Sequence, residues 1–123
     1  MHIETKVYPE AVVLRLEGRF DFLAMDTFLT ALSQAETLPH SGHIILDLHQ
    51  LTFIDSMAIG RIVGTRQRLQ RESIRLTLAG QTGYVDTALK AIKLEAMIPT
   101  VGSVEEGLAL PPSNDSPERI DHA

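Results

Sequence analysis

The stretch that decides the fold is Asp47-Leu48-His49-Gln50-Leu51-Thr52-Phe53-Ile54-Asp55-Ser56-Met57-Ala58-Ile59-Gly60. It begins inside a buried-looking apolar strand, His43 to Leu48. It ends inside a helix, Ser56 to Arg71, where Ile59, Ile62, Val63 and Leu69 supply one broad apolar face. Between the two the pattern predicts a short loop that closes at Asp55-Ser56. A serine hydroxyl is thereby presented at a helix N-terminus, where backbone N–H groups and the helix dipole favour negative charge. Two roles suit it. Asp and Ser are both preferred helix caps, and a serine so placed can also serve as a phosphorylation switch. Spacing leaves both open. A serine hydrolase is a weaker third role, because there is no Gly-x-Ser-x-Gly elbow and no histidine between Ser56 and His122.

Upstream, Ala11-Val12-Val13-Leu14-Arg15-Leu16 is a β-rich run closed by Gly18. Ile3 to Tyr8, ending at Pro9, pairs with it as an edge hairpin. Phe22 to Leu38 carries Phe22, Leu23, Met25, Phe28, Leu29 and Leu32 at helical spacing, with Pro39 just past its end. Downstream, Ile74 to Ala79 is a third strand stopped by Gly80, and Tyr84 to Met97 a helix ended by Pro99. Thr100-Val101 makes a short last strand. Ser103-Val104-Glu105-Glu106 is a capping box that opens a short helix reaching Leu110.

From residue 43 onward the order is strand, helix, strand, helix, short strand, helix. Crossovers of this length give parallel neighbours with right-handed connections. The opening hairpin makes the sheet mixed, so the fold class is α/β. Residues 1–110 form one domain. Residues 111–123, with three prolines and one isolated Ile120, are expected to be a flexible tail.

A chain of 123 residues supports one core and not two. Its 16 acidic against 11 basic residues give a net charge of -5, which argues against general nucleic-acid binding. The absence of cysteine excludes disulfides and thiolate metal sites. Met1-His2-Ile3-Glu4 lacks the basic and apolar regions of a secretory signal. No apolar run approaches the roughly 20 residues of a membrane span, so a cytoplasmic protein is expected.

Asp21 and Asp55 could form a catalytic carboxylate pair, but no metal-like spacing or basic partner accompanies them. A cap and a turn residue are the simpler roles. His40, His43 and His49 read as surface or turn histidines and not as a metal site, because no carboxylate-rich motif converges on them. Arg61, Arg66, Arg68, Arg71 and Arg75 crowd one helix and the next strand. They form a solvated face, or an electrostatic contact for an acidic partner with Arg61 nearest Ser56.

Asp47-Leu48 followed by Leu51-Thr52-Phe53-Ile54-Asp55-Ser56 resembles the signature of the STAS domain. That domain is shared by sulfate transporters and bacterial anti-sigma factor antagonists. Gly18-Arg19-Phe20-Asp21 is similar to the family's glycine-x-x-aspartate after its early strand, and Ser103-Val104-Glu105-Glu106-Gly107-Leu108 to its closing segment. The resemblance runs in order from residue 5 to residue 110. It implies a small mixed β-sheet with helices packed mainly on one face. It also implies a mechanism. In the small stand-alone antagonists the serine after the signature aspartate is phosphorylated by a partner anti-sigma kinase using ATP. The unphosphorylated form binds that kinase and frees a sigma factor, and a phosphatase restores it.

Carried onto this chain, the phosphorylated residue is Ser56. Where the family usually has a second small hydroxyl residue and then glycine, this chain has Met57 and Ala58. Ala58 should stiffen the helix start, and Met57 should project an apolar contact. The resemblance therefore leads to a non-enzymatic switch protein without cofactor or metal. Its partner surface would contain Asp21, Asp55, Met57, Ala58 and Arg61, and its partners would be an anti-sigma serine kinase and a phosphatase. Direct nucleic-acid contact and membrane insertion are not expected, and the oligomeric state is open. The alternative is a STAS subunit of a membrane-associated lipid or solute transporter complex, docking on an ATPase through the same surface.

Overall fold

A computed structural model describes residues 1–111. The expected tail lies outside the described residues except for Pro111. Five strands carry the chain: β1 (His2–Val7), β2 (Val12–Phe20), β3 (His43–Ile54), β4 (Arg75–Ala79) and β5 (Thr100–Val101). They lie in the order β1-β2-β3-β4-β5, with β1 antiparallel to β2 and every later pair parallel. This is the mixed α/β sheet expected.

Alternation along the strands builds two unequal cores. Val12, Leu14 and Leu16 of β2, Ile44, Leu46 and Leu48 of β3, and Leu76 and Leu78 of β4 face one side. There they bury against α1 (Met25–Thr37), α2 (Ser56–Arg71) and α3 (Gly83–Ala91) through Phe28, Leu32, Ala35, Ala58, Ile62, Leu69, Val85 and Leu89. Phe20 and Phe28 meet at 4.8 Å in a tilted pair. The opposite side buries a smaller apolar group, Ala11, Val13, Ile45 and Ala79, covered by Tyr8, by Val101 and by Val104 and Leu108 of α4 (Val104–Leu108). Three helices on one face and one short helix on the other match the expectation.

The capping box forms in a shifted version. The Glu106 N–H donates to Ser103 Oγ at 3.2 Å, while the Glu106 carboxylate accepts from the N–H of Gly102, one residue before the cap. Gly107 then lets α4 lie close to the sheet: a Cβ there would stand 3.0 Å from Ile45 Cδ1.

Four boundaries differ from the pattern reading. Gly18 does not close β2. It takes a φ of +98°, and the strand continues to Phe20 with a register irregularity at that point. The loop between Leu48 and Asp55 does not exist, because β3 runs unbroken to Ile54. Two register shifts absorb the extra residues of β3, between Arg15 and Glu17 and between Gly18 and Arg19. The Thr52 hydroxyl pins the second by donating to Gly18 O at 2.9 Å. The helix expected from Phe22 starts as a 3₁₀ turn, Phe22–Ala24, before α1. The helix expected to reach Met97 breaks where Lys93 adopts a left-handed conformation, and a 3₁₀ turn, Leu94–Ala96, follows.

Candidate functional site

The parallel pairing of β2 and β3 sets the site. Phe20 is level with Ile54, and the Asp55 N–H still donates to Phe20 O at 3.2 Å. The next residues, Asp21 and Asp55, therefore leave the carboxyl ends of adjacent parallel strands side by side. That is the end of an open α/β sheet where ligands and partners are usually met.

Each acid has extended backbone geometry and opens a helical segment. Asp21 caps the Phe22–Ala24 turn, its Oδ1 accepting from the Leu23 N–H at 3.1 Å. Asp55 caps α2, its Oδ1 accepting from the Ala58 N–H at 2.8 Å. The other oxygen of Asp55 accepts from the Phe22 N–H at 3.2 Å. Both carboxylates thus hold backbone N–H groups, the cap and turn roles.

Ser56 is the first residue of α2 and is exposed. Its hydroxyl makes no hydrogen bond to the described residues. The capping role that spacing left open between the two belongs to Asp55. Ser56 is left with a free hydroxyl beside the first N–H groups of a 16-residue helix.

The surroundings are apolar. Met57 is 58 % exposed, Phe22 63 % and Leu23 83 %, among the largest exposures of big apolar side chains in the described residues. Beside them runs a line of contacts. The Arg19 Nε lies 3.8 Å from the Asp21 carboxylate, and the Arg19 guanidinium sits 4.1 Å from the centre of the Phe53 ring. Phe53 in turn stacks on Tyr84 at the start of α3.

The expected site residues sort unevenly. Asp21, Asp55, Ser56 and Met57 come together at this end. Arg61 is exposed farther along α2. Ala58 requires a correction: it is fully buried in the main core and cannot touch a partner. Its position in the first turn puts its Cβ under α2.

Phe22, Leu23, Arg19, Phe53 and Tyr84 were not singled out by sequence. One signal was available, since Phe22 and Leu23 fall out of phase with the buried stripe Phe28, Leu32 and Ala35. The arginines are not one solvated face. Arg68 pairs with Glu36 and Glu72, Arg66 with Gln70, and Arg75 with His43 and the carbonyl of Pro111.

The three central histidines do not converge. The His40 ring accepts from the Gly42 N–H, His43 is buried against Thr77, and His49 is exposed. A different trio, His2, Glu4 and Glu17, stands on the exposed β1–β2 hairpin, with Arg15 at 3.7 Å from Glu4. Among the described residues no helix is long and apolar enough to cross a membrane.

Comparison with known proteins matches this arrangement. The model of the STAS domain fits residues 2–107. A STAS-domain containing protein of Pseudomonas aeruginosa (strain UCBPP-PA14) is 29% identical over 88 residues, which are 72% of this chain and 85% of that protein. A candidate anti-sigma factor antagonist of Thermotoga maritima superposes with a TM-score of 0.76 at 17% identity, over 86% of this chain and 91% of that one. The anti-sigma factor antagonist SpoIIAA in its unphosphorylated form gives 0.64 at 24% identity, over 87% and 94%. The phosphorylated form of SpoIIAA from Bacillus gives 0.64 at 23%, over 87% and 96%. With nearly the whole described domain matched, its paired strand ends and Asp-Ser helix start included, the chain belongs to the STAS domain family.

Proposed function

We propose that this protein is an anti-sigma factor antagonist whose binding to a serine kinase is controlled by phosphorylation of Ser56. The observation that carries this reading is the division of labour at the start of α2. Asp55 does the capping, and Ser56 keeps an exposed, unbonded hydroxyl next to it. The kinase partner transfers the γ-phosphoryl of its ATP to Ser56 Oγ, the hydroxyl proton is released, and ADP leaves. A phosphatase hydrolyses the ester.

The helix dipole and the first-turn N–H groups accommodate the phosphate, so the fold survives the change. What changes is the surface. About -1.5 to -2 charges appear beside Asp21 and Asp55 at the rim of an apolar patch. A partner docked there would have to desolvate or oppose that charge, which disfavours the complex.

The chain itself is read as non-enzymatic. Among the described residues Ser56 makes no hydrogen bond to a histidine, His43 opens the strand at whose far end Ser56 lies, and the carboxylates of Asp21 and Asp55 both hold backbone N–H groups.

Intact-mass analysis of the protein isolated from its native host, with and without phosphatase, tests the reading. One phosphate on the Ser56 peptide, lost in Ser56→Ala, is the expected result. Phosphate on Thr52, Thr65 or Ser73 instead would overturn it. Thr52 already donates to Gly18 O and Thr65 is buried, so neither is poised for a kinase. Kinase binding that is equally tight with and without phosphate would favour the transporter-subunit alternative.

A further inference from the structure

We propose that Asp55 is a positioning residue that transmits the state of Ser56 to the exposed Phe22–Leu23 turn. The proposal rests on reading Ser56 as the phosphate acceptor, and adds a second element to the switch surface.

The geometry is a shared carboxylate. Oδ1 of Asp55 holds the Ala58 N–H at 2.8 Å, and Oδ2 holds the Phe22 N–H at 3.2 Å, across 33 positions of sequence. The Phe22–Ala24 turn has further hydrogen bonds that are all local, among them one from the Met25 N–H to Phe22 O. Leu23 N–H donates to Asp21 Oδ1 at 3.1 Å and Ala24 N–H to Asp21 O at 3.0 Å. Of these bonds, only the one to Asp55 joins the turn to the start of α2. The turn in turn displays Phe22 and Leu23, both largely exposed.

A phosphate on Ser56 places three strong acceptor oxygens next to that carboxylate, at the same helix N-terminus. It repels the carboxylate and competes with it for the first-turn N–H groups. Of the two bonds made by Asp55, the one to Phe22 is longer and more exposed, so it gives way first. Its loss leaves the turn held only by its local bonds. Phe22 and Leu23 then no longer keep a fixed place relative to Met57, and a partner that engages all three loses a preorganised surface.

The test needs no kinase. Phosphoserine is encoded at position 56 of the full chain during synthesis, and amide spectra and hydrogen exchange are compared with the unmodified protein. Phe22 and Leu23 amides should shift, and Phe22 exchange should rise about tenfold, as expected for losing one ordinary hydrogen bond. Asp55→Asn should reproduce the Phe22 change without phosphate. Asn still caps α2, but its amide nitrogen cannot accept from the Phe22 N–H. Asp55→Ser, which also caps but has one oxygen, should do the same. In both variants phosphoserine at 56 should add nothing further at Phe22.

Changes confined to residues 56–59, with Phe22 and Leu23 as in the unmodified protein, would overturn the coupling while leaving the phosphorylation reading intact. Absence of phosphate on Ser56 in the native host would overturn that reading while leaving the measured coupling in place.

Discussion

Phe53 and Tyr84 stack with ring centres 5.3 Å apart and planes 4° from parallel. Carbon atoms make their best contacts at about 3.5–4.0 Å, so nearly parallel rings this far apart are offset, the arrangement that aromatic quadrupoles favour. Arg19 lies on Phe53 and reaches the Asp21 carboxylate, which turns the pair into a ridge linking α3 to the Phe22–Ala24 turn.

Tyr84→Ala should therefore cost about 0.5–1.5 kcal/mol of stability, the range for an aromatic pair beyond simple burial. A double-mutant cycle with Phe53→Leu, followed by urea denaturation, measures the coupling. A coupling energy of zero would show that the stack contributes nothing in solution.

Asp55→Ala removes a helix cap and the bond to Phe22 together. A cap alone is worth about 0.5–2 kcal/mol. The expected loss is about 2 kcal/mol, with Asp55→Asn losing clearly less because asparagine still caps. Chemical denaturation of the two variants decides it, and equal losses would show that capping is not what Asp55 contributes.

Most of the fold was legible because its signals are local. The apolar run from His43, the helical stripe after Ser56, and the Ser103–Glu106 box each announce themselves within a few residues. What the pattern missed depends on partners distant in sequence. Leu51-Thr52-Phe53-Ile54 looks detached from the strand because His49 and Gln50 interrupt the apolar run before it, yet β2 alongside turns it into strand and absorbs the surplus as register shifts. Ala58 looked like a surface residue from its place beside Ser56, but the 100° step of a helix turns it inward. The sharing of Asp55 between Ala58 and Phe22 could not be read at all, since only the level ends of β2 and β3 bring position 22 to position 55.

Arg68 and Glu36 form a two-pronged ion pair, with both guanidinium nitrogens at 2.8 Å from the two carboxylate oxygens, and this ties α2 to α1. The pair is partly exposed, which limits it to about 0.5–1 kcal/mol. Arg68→Lys keeps the charge and loses the fork. It should lower stability by that amount at low salt and by less in 1 M salt, where the Debye length falls to about 3 Å. A salt-independent loss measured by thermal denaturation would point to packing of the arginine stem instead.

His43 supplies the pH dependence. It is buried, its Nε2 lies 2.8 Å from Thr77 Oγ1, and its Nδ1 faces an Arg75 nitrogen at 3.3 Å. A guanidinium only donates, so Nδ1 accepts and Nε2–H donates to Thr77, which fixes a neutral ring. Burial, and then the Arg75 charge, pull its pKa from 6.5 down to about 4. Between those values the unfolded chain binds a proton that the folded protein does not, so stability rises with pH there. It is unaffected by His43 above pH 6.5, falls as pH drops toward 4, and levels off below. The full swing is roughly 3 kcal/mol at about 1.4 kcal/mol per pH unit. Denaturation midpoints of the wild type and His43→Gln across pH 4 to 7.5 isolate this group, because the carboxylates are common to both proteins. The wild type should lose more stability than the variant on acidification, and parallel curves would show that folding leaves the His43 pKa unshifted.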